Sequence, residues 1–386
     1  AYALTGRMKG GPAEAAVVSS ALMGSINGSA VANVVTTGTF TIPLMKKVGY
    51  RPEFAGAVEA VASTGGQILP PVMGAAAFVM ADLTGIPYST IVIAAIVPGI
   101  LYYLSLGTSV YLEADKRGLE AELPENLPQV KQVLKEGWYY GLPIITLIIA
   151  LLGFNLSANY SALFSIGVLL IIGFGKEWRA HRRLPFREVF EALVKASKTT
   201  VSVTIACACA GIVIGIVSMT GIGIKFTSIV FQLSGGNVIL MLLLVMLACI
   251  IMGMGLPSTA AYIIAATVGV PTLVAAGIST LSANLFVFYF AIMSFITPPV
   301  AVAAYAAAGL ADASASKTGW QAFMLGMPGF IIPYVYVFNP ALLIVDTSTI
   351  DTLYIVALAT FGVILTSIAV IGWFKGKLHP IIRLLI

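Results

Sequence analysis

Apolar runs long enough to cross a bilayer recur along almost the whole chain: 52–80, 88–112, 137–154, 159–175, 198–220, 281–309, 318–345 and 351–374. A hydrocarbon core takes about 17–25 residues of helix. Inside it every backbone N–H and C=O must be satisfied within the protein, so such runs can only be helices. Charge is correspondingly scarce: 10% of the 386 residues are Asp, Glu, Lys or Arg, against about 25% in soluble proteins. Mean hydropathy is +0.99. A soluble enzyme, a disordered chain and a nucleic-acid-binding domain are thereby excluded. The formal charge of +5 is a topology signal, because Lys and Arg stay on the cytoplasmic side of a membrane protein.

Two further apolar regions, 12–45 and 238–275, are broken near the middle by small and polar residues. The first break reads Ser25-Ile26-Asn27-Gly28-Ser29. The second reads Gly253-Met254-Gly255-Leu256-Pro257-Ser258-Thr259. Each half is about 15 residues, short for a span. Helix, polar tip and returning helix make a re-entrant hairpin, which protein or water must cover.

Arg7 and Lys9 precede the first hairpin; Lys46, Lys47 and Arg51 follow it. Basic residues at both ends place both ends in the cytoplasm. Threading onward leaves Lys116 to Lys135, Lys176 to Lys198, Lys317 and Lys375 to Arg383 inside. Lys225 alone among the 21 basic residues lies outside. The reading is eight spans and two hairpins, the second hairpin opening from the outer side.

The hairpins repeat each other. Met23-Gly24 aligns with Met252-Gly253 and Ser29 with Ser258 at an offset of 229; Leu69-Pro70-Pro71-Val72 aligns with Thr297-Pro298-Pro299-Val300 at 228. Opposite sidedness makes this an inverted-topology repeat, the build of many secondary transporters. Pro70-Pro71 and Pro298-Pro299 lie inside apolar runs. Proline lacks an amide hydrogen and disfavours helix before it. The helices should therefore unwind around Thr64-Gly65-Gly66-Gln67 and Phe295-Ile296-Thr297. Four interrupted elements would meet near the midplane, offering carbonyls to a cation and helix N-termini to a carboxylate. The chain divides into a first repeat unit (1–112), a charged amphipathic cytoplasmic arm (113–135), scaffold spans (136–220), a second repeat unit (221–317) and C-terminal spans (318–386).

At these residues a family resemblance appears. The run from Gly24 to Met45, with Gly65-Gly66-Gln67-Ile68-Leu69-Pro70-Pro71 after it, closely resembles the large membrane subunit of TRAP transporters, the DctM-type permease. It is most similar to the form in which the small four-helix subunit is fused to the large one, a form associated with TAXI-type receptors. The resemblance covers essentially the whole chain. It implies an all-α integral membrane protein of the ion-transporter superfamily, not an enzyme, working by an elevator motion. It implies sodium-driven import of an organic acid across a bacterial or archaeal inner membrane, the acid being delivered by a periplasmic receptor. It also implies that the chain, which starts at Ala1 part-way into an element, is preceded by the fused small subunit and the first large-subunit helices. No cofactor is expected beyond coupling sodium ions. One sodium site is implied between Ser25, Asn27, Gly28, Ser29 and Thr64, Gly65, Gly66. The other is implied between Gly255, Pro257, Ser258, Thr259 and Ile296, Thr297. The tip serines and Thr259 would also face substrate. Pro257 departs from the family pattern and leaves the ligand atoms at the second tip open.

Other readings compete at single residues. Ser29 and Ser258 can cap the returning helices as well as bind. Glu59 is an intramembrane carboxylate, functional by default, or a hydrated group near the cytoplasmic end. Asp82 and Asp312 read as interfacial or capping residues, and Asn284 as a helix–helix contact. Gly211 and Gly215 have the spacing of close helix packing. Trp138, Trp178, Trp320 and Trp373 read as interface anchors. Cys207, Cys209 and Cys249 read as buried small hydrophobes, and neither they nor the two His can build a transition-metal site. A receptor-independent sodium- or proton-coupled carboxylate carrier is the nearest alternative. A channel needs no inverted hairpins, and an intramembrane enzyme needs a catalytic constellation that is missing.

Overall fold

The computed structural model describes residues 1–121, 130–181, 186–345 and 347–385. Pro124, Pro128, Arg182, Arg183 and Asp346 lie outside the described residues, as does the 122–129 stretch of the expected 113–135 arm. Among the described residues the regular structure is helical, apart from one isolated bridge between Trp373 and Lys377.

A single turn, α1 (Tyr2–Thr5), leads into α2 (Gly11–Asn27) and α3 (Ala30–Lys47). Then come α4 (Pro52–Gly65), α5 (Ala75–Thr84) and the long α6 (Tyr88–Lys116). After α7 (Val130–Gly137), a composite helix runs through a 3-10 turn at Trp138–Gly141, α8 (Leu142–Ile148) and a π turn at Ile149–Gly153. Next are α9 (Ala158–His181), α10 (Phe186–Thr220) and α11 (Ile222–Ser234). The second half continues with α12 (Val238–Gly253), α13 (Ser258–Ala275), α14 (Thr280–Met293, extended by a 3-10 turn at Ser294–Ile296) and α15 (Val302–Ala311). The chain closes with α16 (Ala315–Gly326), α17 (Ile332–Phe338), α18 (Thr349–Ile371) and α19 (Pro380–Leu385).

Among the described residues five helical stretches are long and apolar enough to cross a membrane: Tyr88–Lys116, Ala158–Trp178, Ser258–Ala275, Ala315–Phe338 and Thr349–Ile371. The third is α13, a hairpin arm. The four arms are 16 to 18 residues long, longer than the breaks in the sequence imply, because helix persists to within a few residues of each tip. The sequence reading also missed α11. It meets α10 at a 70° bend, where Gly221 adopts φ +66.

Two helices form the centre. From Phe54 to Gly65 every residue of α4 is buried, and so is α14 from Ser282 to Met293. A helix apolar on all faces has to be enclosed by others. Small residues let neighbours close in on α4: a Cβ on Gly56 would lie 3.1 Å from the Thr318 methyl and 3.3 Å from the Ala307 carbonyl. Around α14 the space is filled by aromatics. Phe290 stacks edge-on with Phe286, Phe330 and Tyr334. By contrast α9 and α10 carry exposed Phe164, Ile171, Ile205 and Ile212, an apolar surface suited to lipid. Gly211 and Gly215 lie on this exposed helix, and no described heavy atom comes within 4 Å of a Cβ placed on either. Among the described residues, then, their spacing brings no helix into close contact. Cys209 is exposed there too, while Cys249 is buried.

The halves interlock. The short helix after the first break, α5, packs on α13 and α14; its counterpart after the second break, α15, packs on α3 and α4. Each half thus supplies the piece that covers the other's hairpin and central helix.

Candidate transport site

At the first tip α2 ends at Asn27. Gly28 turns the chain with φ +67, a left-handed conformation that glycine adopts without a Cβ clash. Ser29 then caps α3, its Oγ accepting the Ala32 N–H at 3.4 Å. The tip is tied to the break beyond α4. Val72 and Met73 both donate their N–H to the Ser25 carbonyl at 3.1 Å. A Cβ on Gly28 would sit 2.5 Å from the Met73 carbonyl oxygen. Gly24 and Gly66 touch: a Cβ on Gly66 would lie 2.4 Å from the Gly24 Cα. The hairpin and the break therefore meet backbone to backbone, which only glycines permit.

Carbonyls in the last turns of α4 take further hydrogen bonds, two of them from α6. Tyr102 and Tyr103 donate to the Val61 and Ala62 carbonyls at 2.8 and 2.6 Å. Thr64 donates to the Ala60 carbonyl at 2.7 Å. Two buried amide oxygens are left over. Asn33 donates through Nδ2 to the Ser20 carbonyl at 2.9 Å, but its Oδ1 has no partner. The Gln67 amide is buried with neither polar atom paired. Unpaired buried oxygens beside a backbone break are the ligand type a hard cation takes. Sequence reasoning did not single out Asn33. Its signal is a buried amide facing the tip from three residues inside α3.

Glu59 is fully buried, not hydrated at the cytoplasmic end. It accepts from Ser20 of α2 at 2.7 Å, from Thr37 and Thr41 of α3, and from Ser63 of α4 at 3.1 Å. A carboxylate has about four acceptor sites, so this one is saturated. It pins both hairpin arms to the central helix.

The second tip opens earlier. α12 ends at Gly253, Gly255 takes φ +75, and Pro257 precedes α13. Proline cannot adopt the positive φ that Gly28 has at the equivalent position, so the turn moves upstream to Gly255. Ser258 is then the first helical residue and makes no cap hydrogen bond, unlike Ser29. Yet the contact with the break recurs. A Cβ on Gly253 would lie 2.8 Å from Ser294 Oγ and 2.9 Å from the Ala291 carbonyl. Under the repeat, Gly253 matches Gly24 and Ser294 matches Gly66. Other backbone features recur at the same spacing. Pro70-Pro71 and Pro298-Pro299 are both cis; Met73 and Ala301 both have positive φ. The acceptors Pro71 and Pro299 also match: a tyrosine hydroxyl reaches each carbonyl, Tyr88 and Tyr305, although the two tyrosines themselves are not at the repeat spacing.

Of the sequence-derived residues, Ser25 and Gly28 meet the break at Val72 and Met73 and Gly66 meets the hairpin at Gly24, whereas Gly65 lies against Tyr102 and Tyr103 and the Thr64 hydroxyl bonds within α4. Asn27 and Ser29 are exposed on the outer side of that tip. At the second tip Thr259 is buried, Ser258 half-buried, and Gly255 and Pro257 exposed. The Ile296 side chain points away to Gly326, leaving only its backbone for a ligand. Thr297 donates to the Met293 carbonyl at 2.8 Å. Asn284 accepts from Tyr262 at 2.7 Å, a contact between α13 and α14. Asp312 ends α15 with φ +54.

Elsewhere Arg51, Glu53, Glu113, Lys116, Arg117 and Lys317 line one cleft of about 760 Å³. Three segments far apart in the chain bring these charges to one place.

The hairpin with its double-proline break thus occurs twice in one helical chain. Residues 1–349 match the family model described as tripartite ATP-independent periplasmic transporter, DctM component. The chain belongs to that family. DctM relatives include the isethionate TRAP transporter permease protein DctMQ of Oleidesulfovibrio alaskensis, 26% identical over 80% of this chain and 48% of that protein. The chain therefore spans about half of that relative's length. The 2,3-diketo-L-gulonate TRAP transporter large permease protein YiaN of Escherichia coli is 22% identical over 90% of this chain and 80% of its own. The C4-dicarboxylate TRAP transporter large permease protein DctM of Pseudomonas aeruginosa is 26% identical over 78% and 69%. Membership of the DctM family, with apolar helices of spanning length, makes the chain a multi-pass membrane protein.

Proposed function

We propose that this DctM-family chain is the transport body of a sodium-coupled importer for an organic acid. A periplasmic receptor, of TAXI type, hands over the substrate, and a small four-helix subunit accompanies the permease. The observation that carries this reading is the twofold recurrence of one contact, Gly24 on Gly66 and Gly253 on Ser294, at an offset of 228–229. Two equivalent hairpin–break junctions of opposite orientation are what an alternating-access carrier requires. The interlocking of α5 and α15, and the gathering of Arg51, Lys116 and Lys317 in one cleft, support that orientation. They also support the two regions as re-entrant hairpins.

Asn33, Gln67 and the carbonyls around Thr64–Gly66 are the oxygens that would hold sodium at the first junction. At the second, Thr297, Thr259 and the backbone of Gly255 and Ile296 supply the corresponding oxygens. The N-termini of α3 and α13, at Ser29 and Ser258, offer free amides to a carboxylate or sulfonate. Relatives named for isethionate, diketogulonate and C4-dicarboxylates fit an anionic substrate. With α4 pinned to the hairpin by Glu59, the hairpins and their broken helices would move as one body, as an elevator does.

The test is uptake in proteoliposomes containing the full-length protein, its subunits and its receptor, with and without an inward sodium gradient. Uptake should need both gradient and receptor. Receptor-independent uptake would favour a simple carboxylate carrier instead. Ser29→Trp and Ser258→Trp should each abolish uptake while the protein still inserts and purifies as a single species.

A further inference from the structure

Between α2 and α6 lies a crevice of about 540 Å³ that the transport site does not use. Its walls are Val17, Val18, Leu22 and Leu104, with Met8 and Tyr111 at the rim. Glu14 lines it and is 6% exposed. Its Oε1 is buried with no hydrogen-bond partner among the described residues, and its Oε2 lies 3.3 Å from where a Cβ on Gly107 would be. A place in the first turn of α2 suits a carboxylate electrostatically, yet supplies no donor to Oε1. A desolvated, unpaired carboxylate is strongly unfavourable, and a cation removes that penalty. The mainly apolar walls, with Thr108 and the tyrosines as the other polar side chains, suit a cation that carries an apolar body.

We propose that this crevice binds an aminophospholipid, its ammonium group on Glu14 and the start of an acyl chain along Val18, Leu22 and Leu104. Met8 is flanked by exposed Arg7 and Lys9, and Lys9 pairs with Asp115 at 2.6 Å across to the end of α6. A headgroup holding a phosphate next to an ammonium meets basic residues at the rim and an acid within. A helix is about 10–12 Å across and would exhaust the volume in about one turn, whereas a methylene chain needs far less width. The proposal is independent of the coupling ion and substrate assigned above.

Native mass spectrometry of the full-length protein, with any accompanying subunits, tests it directly. The probes are phosphatidylethanolamine and phosphatidylglycerol of matched chains. The wild type should retain the ethanolamine lipid preferentially. Glu14→Gln, which buries a neutral isostere and should fold at least as readily, should cut that retention roughly tenfold, the ratio a charge-assisted hydrogen bond supplies. Phosphatidylglycerol retention should not change. Val18→Trp, which keeps the acid and fills the crevice, should lose the same preference. Equal retention of both lipids by the wild type, or an unchanged preference in both variants, overturns the proposal. So does a photo-crosslinker at Val18 that captures a polypeptide in place of lipid.

Discussion

Glu59 joins three helices through four hydroxyls, and its replacement is informative because the donors stay behind. Glutamine keeps the shape but presents an NH₂ group to hydroxyls that need an acceptor. Glu59→Gln should cost about 1–3 kcal/mol, read as a lower thermal unfolding midpoint of the purified protein. Glu59→Ala should cost more, because every donor then lacks its partner. An unchanged midpoint in both would mean that the hydroxyls have turned to the backbone carbonyls of their own helices. Thr37 and Thr41 already lie within reach of such carbonyls, Asn33 and Thr37, at 2.8 and 3.0 Å. The same reasoning separates the two tip serines. Ser29 caps its helix, so Ser29→Ala should lower stability by about 1 kcal/mol. Ser258 makes no cap bond, so Ser258→Ala should leave stability nearly unchanged.

At the scale of elements, the junction between hairpin and break is the sensitive point. Gly66→Ala puts a methyl group within 2.4 Å of the Gly24 Cα, backbone that cannot yield without moving α2. Uptake should be lost. Gly167→Ala, on exposed α9 with nothing within 4 Å, should transport normally. If both variants are equally active, the hairpin does not depend on that contact. The junction was legible in the sequence because its signals are local: a polar tip between apolar arms, a diglycine, a double proline. Residues around Ser25, Gly28 and Thr64–Gly66 were reachable that way. Asn33 and the saturation of Glu59 were not, since they depend on which side chains three separate helices turn toward one another. The second tip resisted for a different reason. Pro257 relocates the turn by forbidding a positive φ, so the aligned residues Ser29 and Ser258 no longer share a local conformation. Helix α11 escaped notice because the reading ended its span at residue 220 and the 13 residues of Ile222–Ser234 are too few to span by themselves.

For the whole molecule, the distribution of charge makes a test of orientation. Single cysteines replacing Lys317 and Arg51 should react with a membrane-impermeant maleimide only from the cytoplasmic side. A cysteine at Lys225, an exposed position on α11, should react only from the opposite side. Labelling of Lys225→Cys and Lys317→Cys from one side would rule out opposed hairpins. The all-helical, membrane-embedded character was plain from apolar runs alone, because lipid leaves the backbone almost no other choice. How the halves fit together was not, since no short-range pattern records that α5 belongs against α13.

That exchange of short helices has a consequence for how the protein is made. A ribosome adding about 5–20 residues per second finishes α5 roughly 9 to 35 seconds before it starts α13. Throughout that interval α5, with its double-proline break, has no permanent neighbour on one flank, and α3 and α4 still await α15. Neither half can settle alone, so the membrane must shelter an incomplete first half until its complement emerges from the translocon.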